Sequence, residues 1–268
     1  METEKVLEVR NLKKYFTDGV RKGTDAAAVP VLDGIGFSVR AGECLGIVGR
    51  SGCGKSTTAR VVTRLLPADE GEIFLCGKDI THARGRELSG AYEKMQMIFQ
   101  LPEDSFDPRQ TLGRSIGEAM RNHGWDRGRI EARTDALLRE VGLPPSYKDR
   151  YPHEVSGGEC QRAAIARAIA LSPKLLICDE ATSALDVTVQ TEVIRLLRRL
   201  VTETGIACLF ITHDLALLPQ IADRVIVMHA GRIAEEGTPE ELLRHPASPY
   251  TKELVEAGLY FSTEEPET

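Results

Sequence analysis

A chain of 268 residues has room for one large domain, and 42% hydrophobic against 28% charged residues is the balance of an ordinary globular protein. The formal net charge of −6 speaks against nucleic acid as the main partner. No apolar run approaches the roughly 18 residues of a membrane span, the start METEKVLEVR has no apolar signal core, and the six scattered cysteines form neither a disulfide framework nor a zinc pattern, so a reduced, cytoplasmic chain is expected.

In chain order, VLEVRNL, FSVRAGE and EIFLCG read as strands. ECLGIVG is a buried-type strand running into GRSGCGKS, and KSTTARVVTRLL behind it has the period of an amphipathic helix. Between Gln100 and Pro173 the β-rich runs vanish, while RSIGEAMRNHG, RIEARTDALLREVG and CQRAAIARAIAL are helical in period. KLLICDE and ACLFITH are two further buried strands, VQTEVIRLLRRLVTET is an amphipathic helix between them, and RVIVMHAGRIAEEG reads as a hairpin turning at Ala230-Gly231. The stretch after Gly237 is helical with a loop at 245–249, and STEEPET has the composition of a disordered tail. This alternation predicts an α/β protein forming one domain over 1–258. Its α/β core spans 1–100 and 173–240, its helical subdomain 101–172 and its helical tail 238–258, with 259–268 disordered.

Gly49-Arg50-Ser51-Gly52-Cys53-Gly54-Lys55-Ser56 fits G-x-x-x-x-G-K-[ST] between a strand and a helix, where backbone N–H groups can close around phosphates. Lys55 then reaches the β/γ oxygens and Ser56 offers its hydroxyl to Mg²⁺. Asp179, at the tip of LLICD, can hold the same ion, and Glu180 beyond it can orient or deprotonate water; alone, such a pair would read as a helix cap. His213 closes a third apolar strand on the edge where such sheets bind ligands and is expected to contact the γ-phosphate, a satisfied core or cap histidine being the usual alternative. Gln100 ends YEKMQMIFQ, where its amide can reach Mg²⁺ or the attacking water, although a surface glutamine is the usual meaning of such a residue. Cys53 lies in the loop at a helix N-terminus, where a thiolate is favoured. VSGGECQR is the odd element: Ser156 and Glu159 suit a capping box, but two glycines at the start of a helix cost roughly 1 kcal/mol each.

With GRSGCGKST, MIFQ, VSGGECQR, LLICDEATSALD and ITHD in this order, the chain resembles the ATP-binding subunit of ABC transporters over roughly Val6 to Gly258. The resemblance implies a P-loop NTPase of the ABC type, an α/β nucleotide-binding domain with an α-helical subdomain and an N-terminal antiparallel β region. It implies ATP and Mg²⁺ as cofactors and a head-to-tail pair of subunits enclosing two ATP molecules. Residues Gly49 to Ser56 and Thr57 then bind nucleotide, Phe16 (or neighbouring Tyr15) stacks on adenine, and Ser56, Gln100 and Asp179 serve Mg²⁺. Glu180 is the general base, with Gln100 and His213 beside it as the Q-loop and switch residues. Ser183, Ala184, Leu185 and Asp186 form the D-loop. Ser156, Gly157, Gly158 and Glu159 act on the partner's ATP, which gives the two glycines an anion to meet.

Within the family, DEATSALDVTVQ and HPASPYTKELVEAG are similar to the importer branch that handles peptides or nickel. That branch implies membrane permease subunits as partners, a solute-binding protein at one remove, no nucleic acid, and a peripheral place on the cytoplasmic face of the membrane. Glu159 stands where glutamine is usual, and the cysteine-rich C-terminal extension of some relatives is not matched, so no cluster site is expected. LPEDSFDPRQTLGRS, after Gln100, is the candidate groove for a membrane-subunit helix, with a solvated loop as the alternative. Three other readings compete: an accessory ATPase of a phosphonate-degrading complex, a soluble ABC ATPase of DNA repair or translation, and a phosphate-transferring kinase. One cassette with no heptad run and no basic excess disfavours the second, and the kinase leaves Ser156 to Glu159 unexplained.

Overall fold

The computed structural model describes residues 4–16, 29–101 and 105–262. β1 (Lys5–Phe16) and β2 (Val29–Arg40) come first, then β3 (Cys44–Val48) and α1 (Lys55–Val62). β4 (Glu70–Leu75), β5 (Lys78–Asp79), α2 (Gly85–Lys94) and β6 (Met95–Ile98) follow. The helical part holds α3 (Leu112–Ile116), α4 (Glu118–Asn122), α5 (Arg127–Glu140) and α6 (Gly157–Ala168). β7 (Leu175–Asp179), α7 (Val187–Thr204), β8 (Ala207–Thr212) and α8 (Leu218–Ile221) return to the core. The β9 (Arg224–His229) and β10 (Arg232–Gly237) hairpin, α9 (Pro239–Arg244) and α10 (Pro249–Ser262) complete the chain.

Every residue of β3, β7 and β8 is buried. Strands covered on both faces need apolar side chains at every position, so their sequences run apolar without alternation. They lie in a six-stranded sheet ordered β10-β9-β3-β8-β7-β6, parallel except for β10. One face, with Cys44, Val48, Cys178 and Phe210, packs into a core shared with the helices, including Ile165 of α6 and Leu197 of α7. The other face, with Leu45, Ile47, Ile177 and Leu209, packs against α1 and a four-stranded antiparallel sheet ordered β2-β1-β4-β5. Parallel pairing brings the carboxyl ends together: Val48 is opposite Thr212, and Asp179 opposite Ile211. The residues that leave those ends are Gly49, Glu180 and His213, so topology alone gathers them on one edge.

The helical part departs from its sequence pattern in one place. RSIGEAMRNHG is two helices, α3 and α4, because the chain turns at Gly117, where a Cβ would stand 2.8 Å from Ile130 of α5. Arg167 of α6 is half-buried and donates to the Ser105 carbonyl (2.5 Å) and Ser105 Oγ (2.9 Å), with its guanidinium 4.3 Å from the Phe106 ring centre. β5 and α2 were not expected from sequence, and β1 runs on past VLEVRNL to Phe16. α10 extends to Ser262, past the boundary expected at Gly258. Residues 263–268 of the expected disordered tail, and 102–104 of LPEDSFDP, lie outside the described residues.

Candidate active site

Gly54 ends the turn between β3 and α1 with φ 109°, and a Cβ there would lie 2.8 Å from the Val31 carbonyl oxygen, so only glycine lets the turn close on β2. α1 has no side-chain cap and no acid in its first turn. Its free N–H groups and positive dipole end therefore suit a phosphate. Lys55 is buried and folds over the loop, its Nζ donating to the carbonyls of Gly49 (2.7 Å) and Arg50 (3.2 Å). Arg50, Ser51 and Gly52 are exposed, and Ser56 and Thr57 are half-buried on α1.

Ser56 Oγ donates to Asp179 Oδ1 at 2.9 Å, joining the two residues expected to share an ion. Asp179 is only 7% exposed; burial pushes its carboxyl above the usual value, Glu180's charge adds to that, and the Ser56 hydroxyl opposes it. A buried carboxylate beside a hydroxyl, both hard oxygen donors, is a fitting set for Mg²⁺.

Glu180 has φ 50°, in the left-handed region that costs a non-glycine residue. Hydrogen bonds hold it there from both sides. Its N–H donates to the Ile211 carbonyl (3.0 Å), and its own carbonyl accepts from Ser183 N–H (3.1 Å) and Ser183 Oγ (3.0 Å). His213 Nδ1 stands 3.3 Å from Glu180 Oε2, while the imidazole stays mostly exposed. Gln100 Nε2 donates to Ser183 Oγ at 3.2 Å, which chains the end of β6 to the D-loop and through it to Glu180.

Ser156 caps α6: its Oγ accepts from Glu159 N–H (3.4 Å) and Glu159 Oε2 accepts from Ser156 N–H (2.8 Å). The Tyr147 hydroxyl donates to Glu159 Oε1 at 2.6 Å, and this bond, with the Ser156 N–H, holds the Glu159 carboxyl below its usual range. The two glycines differ. A Cβ on Gly158 would fall 2.3 Å from Val189 Cγ1 of α7, whereas Gly157 meets nothing closer than Leu185 Cδ2 at 3.9 Å. Gly158 is thus required by packing, and Gly157 keeps an open approach to its backbone beside the D-loop. Asp186 ends the D-loop by capping α7 through Val189 N–H (3.0 Å), and Ser183 and Ala184 are exposed.

Phe16 is 46% exposed and pairs across β1–β2 with Val29, two residues before Val31, the residue that lies against Gly54. Tyr15 is tied down instead, its hydroxyl donating to Glu70 Oε1 (3.3 Å) and its N–H to Asp69 Oδ2 (2.7 Å). Phe16 is therefore the more open ring of the two, with Lys14 Nζ 5.7 Å from its centre. The expectation for Cys53 is corrected. The residue is 6% exposed within the core between the sheets, and burial pushes its thiol up against the opposing pull of Lys55 and the helix N–H groups. Reading the sequence also missed Tyr250, whose hydroxyl accepts from the Arg50 backbone N–H at 3.1 Å; PYTKEL served only as a mark of the importer branch.

A strand, glycine-rich turn and helix bearing Lys55 and Ser56, with Asp179 and Glu180 ending a strand of the same parallel sheet, define a P-loop nucleoside triphosphatase. A family model described as "ABC transporter" matches residues 32–183, and the chain belongs to that family as an ATP-binding, ATP-hydrolysing subunit. It is 43% identical over 94% of its length to the oligopeptide transport ATP-binding protein OppF of Salmonella typhimurium, covering 77% of that relative. It is 45% identical over 96% of its length to the probable peptide ABC transporter ATP-binding protein y4tS of Sinorhizobium fredii, covering 73% of it. Among solved structures it is similar to cbiO1 of Clostridium perfringens, part of the transporter complex cbiONQ, with a TM-score of 0.79, 28% identity, and 90% and 92% of the two chains covered. The fold also matches the cassette MJ0796, solved as a dimer in a post-hydrolysis state with ADP and Pi, at a TM-score of 0.77 and 24% identity over 87% and 98% of the chains. Among the described residues no helix is long and apolar enough to cross a membrane.

Proposed function

We propose that the chain powers peptide uptake from the cytoplasmic face of a membrane, as one of two cassettes that meet head to tail beneath permease subunits. The observation that carries this reading is the division of the site within one chain. The phosphate loop, Asp179, Glu180 and His213 share one sheet edge, while Ser156 and Glu159 bond to each other and Glu159 to Tyr147. Two chains are then needed to bring Ser156 and the N–H groups of Gly157 and Gly158 against the γ-phosphate held by Lys55. Peptides rank above nickel as cargo because relatives 43% and 45% identical are named for oligopeptide or peptide transport.

Each residue has a defined task in this scheme. Phe16 stacks on adenine, Lys55 and residues Gly49 to Thr57 bind the phosphates, and Glu180 orients water and takes its proton. His213 steadies the Glu180 carboxylate, and Gln100 reports on the site to the helices. Ser56 and Asp179 would hold Mg²⁺, joined by Gln100 once its amide turns away from Ser183, and the ion would neutralise charge on the β- and γ-phosphates. A groove of about 650 Å³ next to the segment after Gln100 is lined by Gly113, Arg114, Trp125, Ile130 and Lys148, and it suits one amphipathic helix of a permease. The test is reconstitution with the permease and binding protein, followed by ATPase assays with peptides or nickel. Stimulation by peptides is expected; stimulation by nickel alone, or by neither, overturns the cargo. Specific activity should rise with chain concentration in the absence of permease, and a concentration-independent value would rule out the paired site.

A further inference from the structure

The end of the chain returns to the phosphate loop. Glu235 of β10 fastens the approach to α10, its carboxylate accepting from the N–H groups of Ala247 (2.7 Å) and Ser248 (3.0 Å). Tyr250, in the first turn of α10, then lies flat on His229, with ring centres 3.9 Å apart and planes 9° apart. The turn after His229 touches the loop itself, since Gly231 N–H donates to the Cys53 carbonyl at 3.1 Å. From this seat the Tyr250 hydroxyl accepts from Arg50 N–H (3.1 Å), and the Arg50 guanidinium sits 5.9 Å from the Tyr250 ring centre and 3.9 Å from Glu253.

Arg50 N–H and the Gly49 carbonyl belong to one planar peptide unit, so turning either turns both. The Gly49 carbonyl accepts from Lys55 Nζ at 2.7 Å, so that unit is held at one end by Tyr250 and at the other by Lys55. A lysine drawn onto β/γ-phosphate oxygens gives up its share of that hold. We infer that Tyr250 is a positioning residue for ATP: its hydroxyl keeps the Gly49–Arg50 peptide from turning once Lys55 moves to the phosphates. The inference rests on the phosphate loop holding ATP and adds the C-terminal helix as the part that sets its shape.

Tyr250→Phe tests it, because the ring keeps its seat on His229 and only the hydroxyl is lost. The dissociation constant of the full chain for ATP should rise about fivefold, the effect of one net hydrogen bond. The KM of the assembled transporter should rise in step, with turnover at saturating ATP kept. A wild-type dissociation constant and KM, or a fall in turnover alone, overturns the proposal. Amide hydrogen exchange at Arg50 in the nucleotide-free chain reads the contact separately from function, and it should speed up in Tyr250→Phe. No change there also overturns the proposal, whereas failure of the wild-type chain to bind ATP would count against the functional reading instead. Tyr250→Ala, which removes the ring as well, should weaken ATP further, and Tyr250→Trp, which restores a ring without the hydroxyl in place, should not recover affinity.

Discussion

Glu180 sits in a backbone conformation that costs of order 1–3 kcal/mol, and three hydrogen bonds hold it there, one donated to the Ile211 carbonyl and two accepted from Ser183. Such strain is kept where the direction of a side chain matters more than local stability. Glu180→Gln keeps the shape and removes the proposed base, so ATP hydrolysis should fall at least a hundredfold while ATP binding persists and a closed dimer accumulates. Release of Pi at a normal rate in that variant would refute the general-base role. At Cys53 burial, rather than the helix end, decides the chemistry. Native alkylation at pH 8 should be more than about tenfold slower than that of an exposed thiol, and mass spectrometry after timed iodoacetamide treatment would measure it.

Among the elements, the start of α6 is the clearest case of two demands met at adjacent positions. Gly158→Ala should cost about 1–3 kcal/mol by forcing Val189 and α7 aside, and Gly158→Ala with Val189→Ala should recover part of that loss in urea melts. Gly157→Ala should be near wild type in stability but impaired in ATPase, because it crowds only the open approach. An equal loss of stability in both single variants would break this division. The capping box, the buried strands and the phosphate loop were legible in the sequence because each depends on residues close in the chain. Gly158's partner Val189, Glu159's partner Tyr147 and the Tyr250 contact with Arg50 were not, since each pairs segments whose distance the sequence does not record. The break between α3 and α4 escaped for the same reason: Gly117 looks tolerable in a helix until Ile130 is packed against it.

At the level of the molecule, Asp223 joins three parts of the core. Its carboxylate accepts from Arg198 of α7 at 2.7 and 2.9 Å and from Cys44 N–H of β3 at 2.8 Å, beside the start of β9. Burial pushes its carboxyl up, but these donors outweigh that and hold it below the ordinary value. A lowered folded-state pKa stabilises above the unfolded value near 4, and that contribution is lost as pH falls through the folded one. The melting temperature should therefore drop below about pH 4, and Asp223→Asn should lower it at pH 7 while flattening the decline attributable to this group. An unchanged acid profile in Asp223→Asn would assign the decline to other carboxylates.

The Arg167 grip on Ser105 has a consequence for how a pair of such chains keeps time. It binds the stretch that follows Gln100 to the helix that opens with Ser156, so the two travel together. In a head-to-tail pair that helix belongs to the other chain's nucleotide. Under the proposed arrangement, a shove from one membrane subunit would thus be relayed to the ATP its own cassette does not hold, and the two halves of the machine would be wired crosswise.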